Sequence, residues 1–442
     1  MEKGYGFFEI IRDNMINNAD SSEISPRRKT VTRRKESALV KTLWVGMACL
    51  AAAVSAYSIQ AEGPGLDEFI LEKMKADNVP GLAACIVNKD KLVWIGAFGW
   101  ADIENKVPMT EKTIQNIGSI SKTITATAVM QLWEKGRFKL DDDVNGYLPF
   151  QVRNPRFPDD PITFRQLLTH KSSIKDGPAY EQSYACGDPA VSLKDWIKGY
   201  LVPGGKYFSE EGNFHTWKPG TIEIPKGPRA YTNVGFGLLG YLVEIISGQD
   251  FSEYCKKNIF TPLGMKNTGW YLADVEIANH AIPYTLISER FQLPEGITFE
   301  TFLPRYGKDK QSTKTGELFA HCLYSFFNYP DGLIRTSVRE LSQFLRAYIS
   351  DGILENKRIL KKETVQMMLS DAHFGRGLCW SALKLKNGDA AWGHGGGDPG
   401  ISTQMLFRPK DGVGVIIFFN FDSPGKASGE ILERLFEEAA KS

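Results

Sequence analysis

The sequence predicts an α+β fold: one antiparallel sheet flanked by helices, with a mainly helical region inserted between strands that come from its two ends. Three observations predict it. Residues 81–102, "GLAACIVNKDKLVWIGAFGWAD", hold two apolar, β-branched runs about the polar turn "NKD", the pattern of a hairpin. Residues 401–422, "ISTQMLFRPKDGVGVIIFFNFD", repeat that pattern about "PKDG". Between them the apolar spacing turns helical in "SKTITATAVMQLWEKG", "NVGFGLLGYLVEIISG" and "SVRELSQFLRAYISDG", and a last helix, "GEILERLFEEAAKS", closes the chain. Strands from both ends therefore pair in one sheet. Residues 180–228 and 293–317, rich in Gly, Pro and charge, read as loops that shape a cleft.

Composition narrows the function. At 442 residues, 42% apolar and 24% charged, the chain has ample material for a globular core. Lys plus Arg number 53 against 52 Asp plus Glu, a balance that gives no electrostatic case for nucleic acid. A small-molecule substrate is the better expectation. Six cysteines are scattered without a C-x-x-C, so neither a zinc ribbon nor a dense disulfide framework is expected. Six histidines form no H-x-H or H-E-x-x-H, and no metal or cofactor is expected.

The first 62 residues read as a leader ahead of a single domain over 63–442. Seven basic residues lie in "RRKTVTRRKESALVK", and the uncharged run "TLWVGMACLAAAVSAYS", residues 42–58, follows. That is the charge asymmetry of a signal peptide, with "VSA" and "IQA" as cleavage sites, or of an uncleaved membrane anchor. Either way the body is expected to be exported, periplasmic or secreted. The start codon and the oligomeric state stay open.

The chemistry begins in "NIGSISKTITATAVMQLWEKG", residues 116–136. Helical residues three apart share a face, whereas adjacent ones diverge by about 100°. Ser119 and Lys122 are therefore neighbours, and Ser121 and Lys122 are not. Free N–H groups at a helix start favour a developing negative charge, which makes Ser119 the candidate nucleophile. Lys122 lies among Ile117, Ile120, Ile124 and Val129, where desolvation is expected to lower its pKa toward that of a base. Alone, the S-x-x-K spacing also describes an ordinary cap and a solvated lysine.

Further segments keep it company. "GPRAYTNVGFGLLGYLVEIISG" carries Tyr231, Thr232 and Asn233 before a glycine-rich helix, and "AAWGHGGGDPGISTQMLF" carries His394, Gly395, Gly396 and Gly397 on an edge-like strand. With "ITFRQLLTHKSSI", "IFTPLGMKNTGW" and "DGLIRTSVRELSQFL", the chain over residues 64–435 resembles the serine β-lactamase and penicillin-binding-protein superfamily, in its branch of class C-like esterases and D-amino-acid peptidases. The resemblance implies a β-lactamase/transpeptidase-like fold and an acyl-enzyme on Ser119, with Lys122 its proton partner. Tyr231 would relay a proton to the leaving group, and Asn233 would hold the substrate amide or the lysine. The N–H groups of Ser119 and Gly397 would form the oxyanion hole, worth about 3 to 4 kcal/mol per donor, and His394 and Gly396 would line the substrate site. Bland readings are a cleft-wall aromatic for Tyr231 and a helix cap for Asn233.

Two decoys are set aside. Lys314-Thr315-Gly316 spells a penicillin-binding motif but lies in a polar segment with no strand expected after it, so Lys314 reads as a solvated loop residue. The H-G-G-G at residues 394–397 also supplies oxyanion holes in α/β-hydrolases, but no G-x-S-x-G elbow follows it here. Two departures matter. "HKSS" at residues 170–173 carries Ser173 where the family carries glycine, and His394 with Gly395 replaces the Lys and hydroxyl pair that grips a β-lactam carboxylate. A neutral imidazole does that poorly. The expected enzyme is an exported carboxylesterase acting on a small ester or amide; a β-lactamase, a D-amino-acid peptidase and a noncatalytic envelope-binding protein are the alternatives.

Overall fold

The computed structural model describes residues 65–221, 230–288, 304–305, 314–370 and 377–441. The leader reading over residues 1–62 lies outside them, as does most of the segment 293–317. Among the described residues no helix is long and apolar enough to cross a membrane.

The first hairpin forms where its turn chemistry demands. Strands β1 (Gly81–Val87) and β2 (Leu92–Asp102) pair antiparallel, and the Asn88 side chain accepts the N–H groups of Asp90 and Lys91, closing the turn. A two-residue strand β3 (Val107–Pro108) extends that edge. From the far end of the chain come β4 (Ser381–Lys384), β5 (Ala390–Asp398), β6 (Ile401–Arg408) and β7 (Val413–Phe419). The seven-stranded order is β4-β5-β6-β7-β1-β2-β3, antiparallel throughout, so β1 pairs with β7 and joins the two ends of the chain.

Both faces of this sheet are covered, which explains why β1 and β7 are apolar without alternation. Ala83 and Cys85 with Ile416 and Phe418 face one core; Leu82 and Ala84 with Val415 and Ile417 face the other. The second face is covered by α1 (Leu66–Ala76) and α6 (Ala427–Ala439), whose buried Leu66, Ile70 and Met74, and Ile431 and Leu435, recur at i, i+4. The first face carries the inserted helical region: α2 (Ser121–Glu134), α3 (Leu193–Leu201), α4 (Val234–Ser247) and α5 (Val338–Ile349). Every residue of α2 from Ser121 to Leu132 is buried, so this helix runs through the core rather than over it. Its threonine hydroxyls stay satisfied: Thr123 donates to the Ile120 carbonyl at 2.7 Å and Thr125 to that of Pro330 at 2.6 Å.

Two sequence expectations are corrected. Residues 180–228 are not simply loop, because α3 lies within them, capped by Ser192 and burying Trp196 and Tyr200. The surrounding Gly and Pro residues mask its periodicity. The turn at Lys314 does lead into a strand, Leu318–Ala320, but that strand pairs with Tyr284–Leu286 outside the main sheet. Among the described residues one disulfide forms, Cys186 to Cys322, beside the short paired strands Ala185–Cys186 and Tyr324–Ser325.

Candidate active site

The site is built where α2 meets the open half of β5. Strand β4 pairs only with residues 390–393 of β5, so from His394 to Asp398 the outer edge of β5 is free of it. The turn before α2 presses on that stretch. Gly118 adopts φ +53°, and a Cβ there would stand 2.8 Å from the Gly397 nitrogen. A Cβ on Gly396 would stand 2.1 Å from the Ile117 carbonyl oxygen. Glycine at both positions is what lets the two backbones meet.

Ser119 sits in a single 3-10 turn, Gly118–Ile120, and α2 begins at Ser121. The i, i+3 geometry survives this change of pitch: Lys122 Nζ donates to Ser119 Oγ at 3.0 Å. Ser119 is partly exposed and lines a cleft with Tyr180, Tyr184, Asn233, Asp331, Gly332, Gly397 and Asp398. Ser121 is fully buried, and its Oγ accepts the Ile334 N–H at 3.1 Å. Of the two serines only Ser119 lines the cleft.

Lys122 has no solvent exposure. Besides Ser119, its ammonium reaches Asn233 Oδ1 at 2.7 Å, the Asp331 carbonyl oxygen at 2.9 Å and Asp331 Oδ2 at 3.2 Å. Here the expectation of a lysine lowered toward neutrality fails. Burial does pull Lys122 down, but contact with Tyr231 and the Asp331 carboxylate outweighs it, and the group is held above its ordinary value. The resting lysine is an ammonium. Burial likewise pushes the Tyr231 phenol up, against the pull of Lys122 and of hydrogen bonds to Ser119 and Lys122. Both groups are thus biased toward their protonated forms.

The Tyr231 ring centroid stands 5.0 Å from Lys122 Nζ, and the His170 ring stacks on Tyr231 at 4.2 Å. His170 Nδ1 accepts the Thr232 N–H at 3.2 Å. Ser173, the departure in "HKSS", adopts φ +62°, the left-handed region where glycine is usual. Asn233 is not an ordinary side-chain cap. The N–H groups of Asn233 and Val234 at the start of α4 go to the half-buried Asp176 carboxylate at 2.9 and 3.0 Å, so the Asn233 side chain is not used as a cap and its Oδ1 accepts from Lys122. His394 lies beside Tyr231, ring centroids 6.5 Å apart, with Nδ1 2.6 Å from the Gly395 carbonyl oxygen. Gly397 lines the cleft, while Gly396 lies under the nucleophile turn. Lys314 is exposed in its turn.

The sequence reading gave no role to three acids. Asp331 accepts from Tyr180 Oη at 3.0 Å and from Asn328 Nδ2 at 2.8 Å as well as from Lys122. Asp398 accepts from Tyr184 Oη at 2.7 Å and Asn116 Nδ2 at 3.1 Å; burial pushes it up to about 7 despite these donors, with Asp331 adding to the rise. Asp176 holds the start of α4. The signal for two of them was present, since Asp331 opens "DGLIRTS" and Asp398 follows the glycine run. Among the described residues no group of three or more His, Cys, Asp or Glu is placed to hold a metal ion.

A buried lysine under a serine that opens a core helix, with a tyrosine ring against the lysine and a glycine-rich strand edge alongside, defines a class of serine-nucleophile scaffold. The beta-lactamase family profile matches residues 66–440, and the chain belongs to that family. A putative penicillin-binding protein, PbpX, of Bacillus subtilis is 31% identical over 189 residues, 42% of this chain and 41% of PbpX. Protein flp of Staphylococcus aureus is 21% identical over 81% of this chain and 63% of its own length. The chain thus spans less than two thirds of these curated relatives. Among solved structures, the octameric penicillin-binding protein homologue from Pyrococcus abyssi is 25% identical, covering 84% of this chain and 77% of its own, with a TM-score of 0.61. The D-amino acid amidase from Ochrobactrum anthropi SV3, at 21% identity, covers 85% of this chain and 99% of its own with a TM-score of 0.63, a likeness of fold.

Proposed function

We propose that the protein is an exported serine hydrolase that works through an acyl-enzyme on Ser119, with carboxylic esters as its preferred substrates. The observation that carries this is the 3.0 Å hydrogen bond from Lys122 to the one serine of the pair that lines the cleft. In the reacting form the Lys122–Tyr231 pair has lost one proton. The pair then takes the Ser119 hydroxyl proton as Oγ attacks the acyl carbon, and returns it to the departing alkoxide. The N–H groups of Ser119 and Gly397 receive the oxyanion. Water repeats the sequence to release the acid. The Cys186–Cys322 bridge supports export, since such bonds persist in oxidising compartments.

A second reading, hydrolysis of amides whose acyl part carries an ammonium group, is favoured by Asp398, a buried acid among the residues of the cleft next to Gly397. The same acid repels the carboxylate of a penicillin. A fluorophosphonate probe, followed by intact mass and peptide mapping, tests the nucleophile. Turnover of p-nitrophenyl butyrate, a D-amino-acid p-nitroanilide and nitrocefin under matched conditions ranks the substrate classes. A folded sample with no serine adduct and no turnover would leave the noncatalytic envelope-binding reading in its place.

A further inference from the structure

Asp331 stands where its role is separable from that of the serine, lysine and tyrosine. It lies outside the three motifs, on the turn Tyr329–Asp331 ahead of Gly332, and 2% of it is exposed. It meets Lys122 twice, through its main-chain oxygen and through Oδ2. The carbonyl contact would survive any side chain; the carboxylate contact would not. With Ser119 Oγ, Asn233 Oδ1, two oxygens of Asp331 and the Tyr231 phenol in reach, more acceptors compete for the ammonium than its three protons can serve, which fixes Nζ in one place.

We infer that Asp331 is a positioning residue: its carboxylate anchors the Lys122 ammonium between Ser119 and Asn233 and sets the pH at which the Lys122–Tyr231 pair gives up the proton that the reaction needs gone. The inference rests on the acyl-enzyme reading above. The groups that face this carboxylate are Lys122 from α2, the phenols of Tyr180, Tyr184 and Tyr231, and the carboxyls of Asp176 and Asp398; the buried Cys379 thiol faces Lys122. Lys122 is the one cation in this group, and Asp331 is the carboxylate in direct contact with it. Removing that negative charge eases proton loss from Lys122 and from Tyr231 alike. The sign of the effect is therefore the same whichever of the two takes the serine proton. Asp331 acts through Lys122 and is not assigned a contact with substrate.

The experiment compares wild type, Asp331→Asn and Asp331→Glu across pH, reading both kcat/KM for p-nitrophenyl butyrate and the rate of Ser119 modification by a fluorophosphonate. In Asp331→Asn the midpoint of the ascending limb should move to lower pH by about one to three units, the size of a close charge effect, with KM within a few-fold. Asp331→Glu, which restores the charge, should return the midpoint to within about half a unit of wild type. A folded Asp331→Asn whose midpoint stays put or moves to higher pH overturns the inference while leaving the nucleophile assignment intact. Absence of a Ser119 adduct in wild type overturns the acyl-enzyme reading and this inference together. Should Asp331→Asn fail to fold, Asp331→Ala carries the same expected shift; failure of both to fold marks the carboxylate as structural and overturns the inference.

Discussion

Ser121 and Ile334 are joined by a buried hydrogen bond, the Ile334 N–H donating to Ser121 Oγ at 3.1 Å, and this bond separates the two serines of "GSIS" by task. Ser121 ties α2 to the segment leading into α5, while Ser119 faces the cleft. Ser119→Ala should abolish fluorophosphonate labelling with little change in thermal midpoint. Ser121→Ala should keep labelling but lose about 1 to 3 kcal/mol of stability, because a buried N–H loses its acceptor. Adduct mapped to Ser121 would reverse the assignment.

The pH dependence of wild type follows from Lys122 and Tyr231, both held above their ordinary values. A raised pKa means the proton leaves later on the way up in pH, so the reactive, singly deprotonated pair is scarce at neutrality. Ester turnover should still be climbing at about pH 9. The linkage has the same sign for stability. The Lys122 ion pair contributes fully below the unfolded lysine value and is lost as pH rises through the folded one. A plateau reached below pH 7 would show that the Asp331 carboxylate does not hold the lysine charged.

How much of this was legible in the chain varies with the physics behind each element. The hairpins at residues 81–102 and 401–422 were readable because turn chemistry and strand runs are local signals, and the helices α2, α4 and α5 because apolar spacing is local too. The Ser119–Lys122 contact is also local, three residues apart. Asp331 opens a segment that the sequence marks, but its contact with Lys122 was not readable: the two lie 209 positions apart, and a lone acid between a proline and a glycine has no periodicity to declare its burial. The expected fall in the Lys122 pKa failed because apolar neighbours can be read from sequence, whereas the distant Tyr231 and Asp331 that hold the lysine up cannot. Asn233 shows the converse, a cap position whose side chain is released for the lysine by Asp176 from another segment.

The two candidate third motifs separate by placement. His394 is beside Tyr231, and Lys314 is an exposed turn residue on the approach to a strand outside the main sheet. Lys314→Ala should leave kcat/KM for p-nitrophenyl esters within a few-fold of wild type, and His394→Ala should lower it clearly. The opposite ranking would restore the Lys-Thr-Gly triplet as the functional motif.

The Cys186–Cys322 bridge closes a segment of 136 residues that includes α3 and α4. On the chain-entropy account a loop of this size is worth about 4 to 5 kcal/mol, with measured values commonly smaller. Cys322→Ser should lower the thermal midpoint, and a reducing agent should lower that of wild type while leaving the variant unmoved. The bridge lies next to Tyr184 and Tyr324, so ester turnover at a temperature where both forms are folded reports whether it also steadies the cleft wall. Equal midpoints with and without reductant would exclude a stabilising bond.

On the proposed esterase reading, the charges around Ser119 are expected to set substrate preference. His394 turns Nδ1 to the Gly395 carbonyl, Gly395 has no hydroxyl, and Asp398 lines the cleft with a carboxyl pushed up to about 7, charged in good part at pH 8. Nothing in that arrangement attracts the carboxylate of a β-lactam, and Asp398 repels it. Nitrocefin hydrolysis at pH 8 should therefore be slow beside p-nitrophenyl butyrate hydrolysis. His394→Lys combined with Gly395→Thr should shift the ratio of kcat/KM values toward nitrocefin by about 1 to 3 kcal/mol, the scale of one hydrogen bond to a charged group. Asp398→Asn alone should shift it the same way, and more at pH 8 than at pH 6, because the wild-type acid is neutral at the lower pH. Wild-type protein that turned over nitrocefin faster than the ester, or an Asp398→Asn effect independent of pH, would refute this account of selectivity.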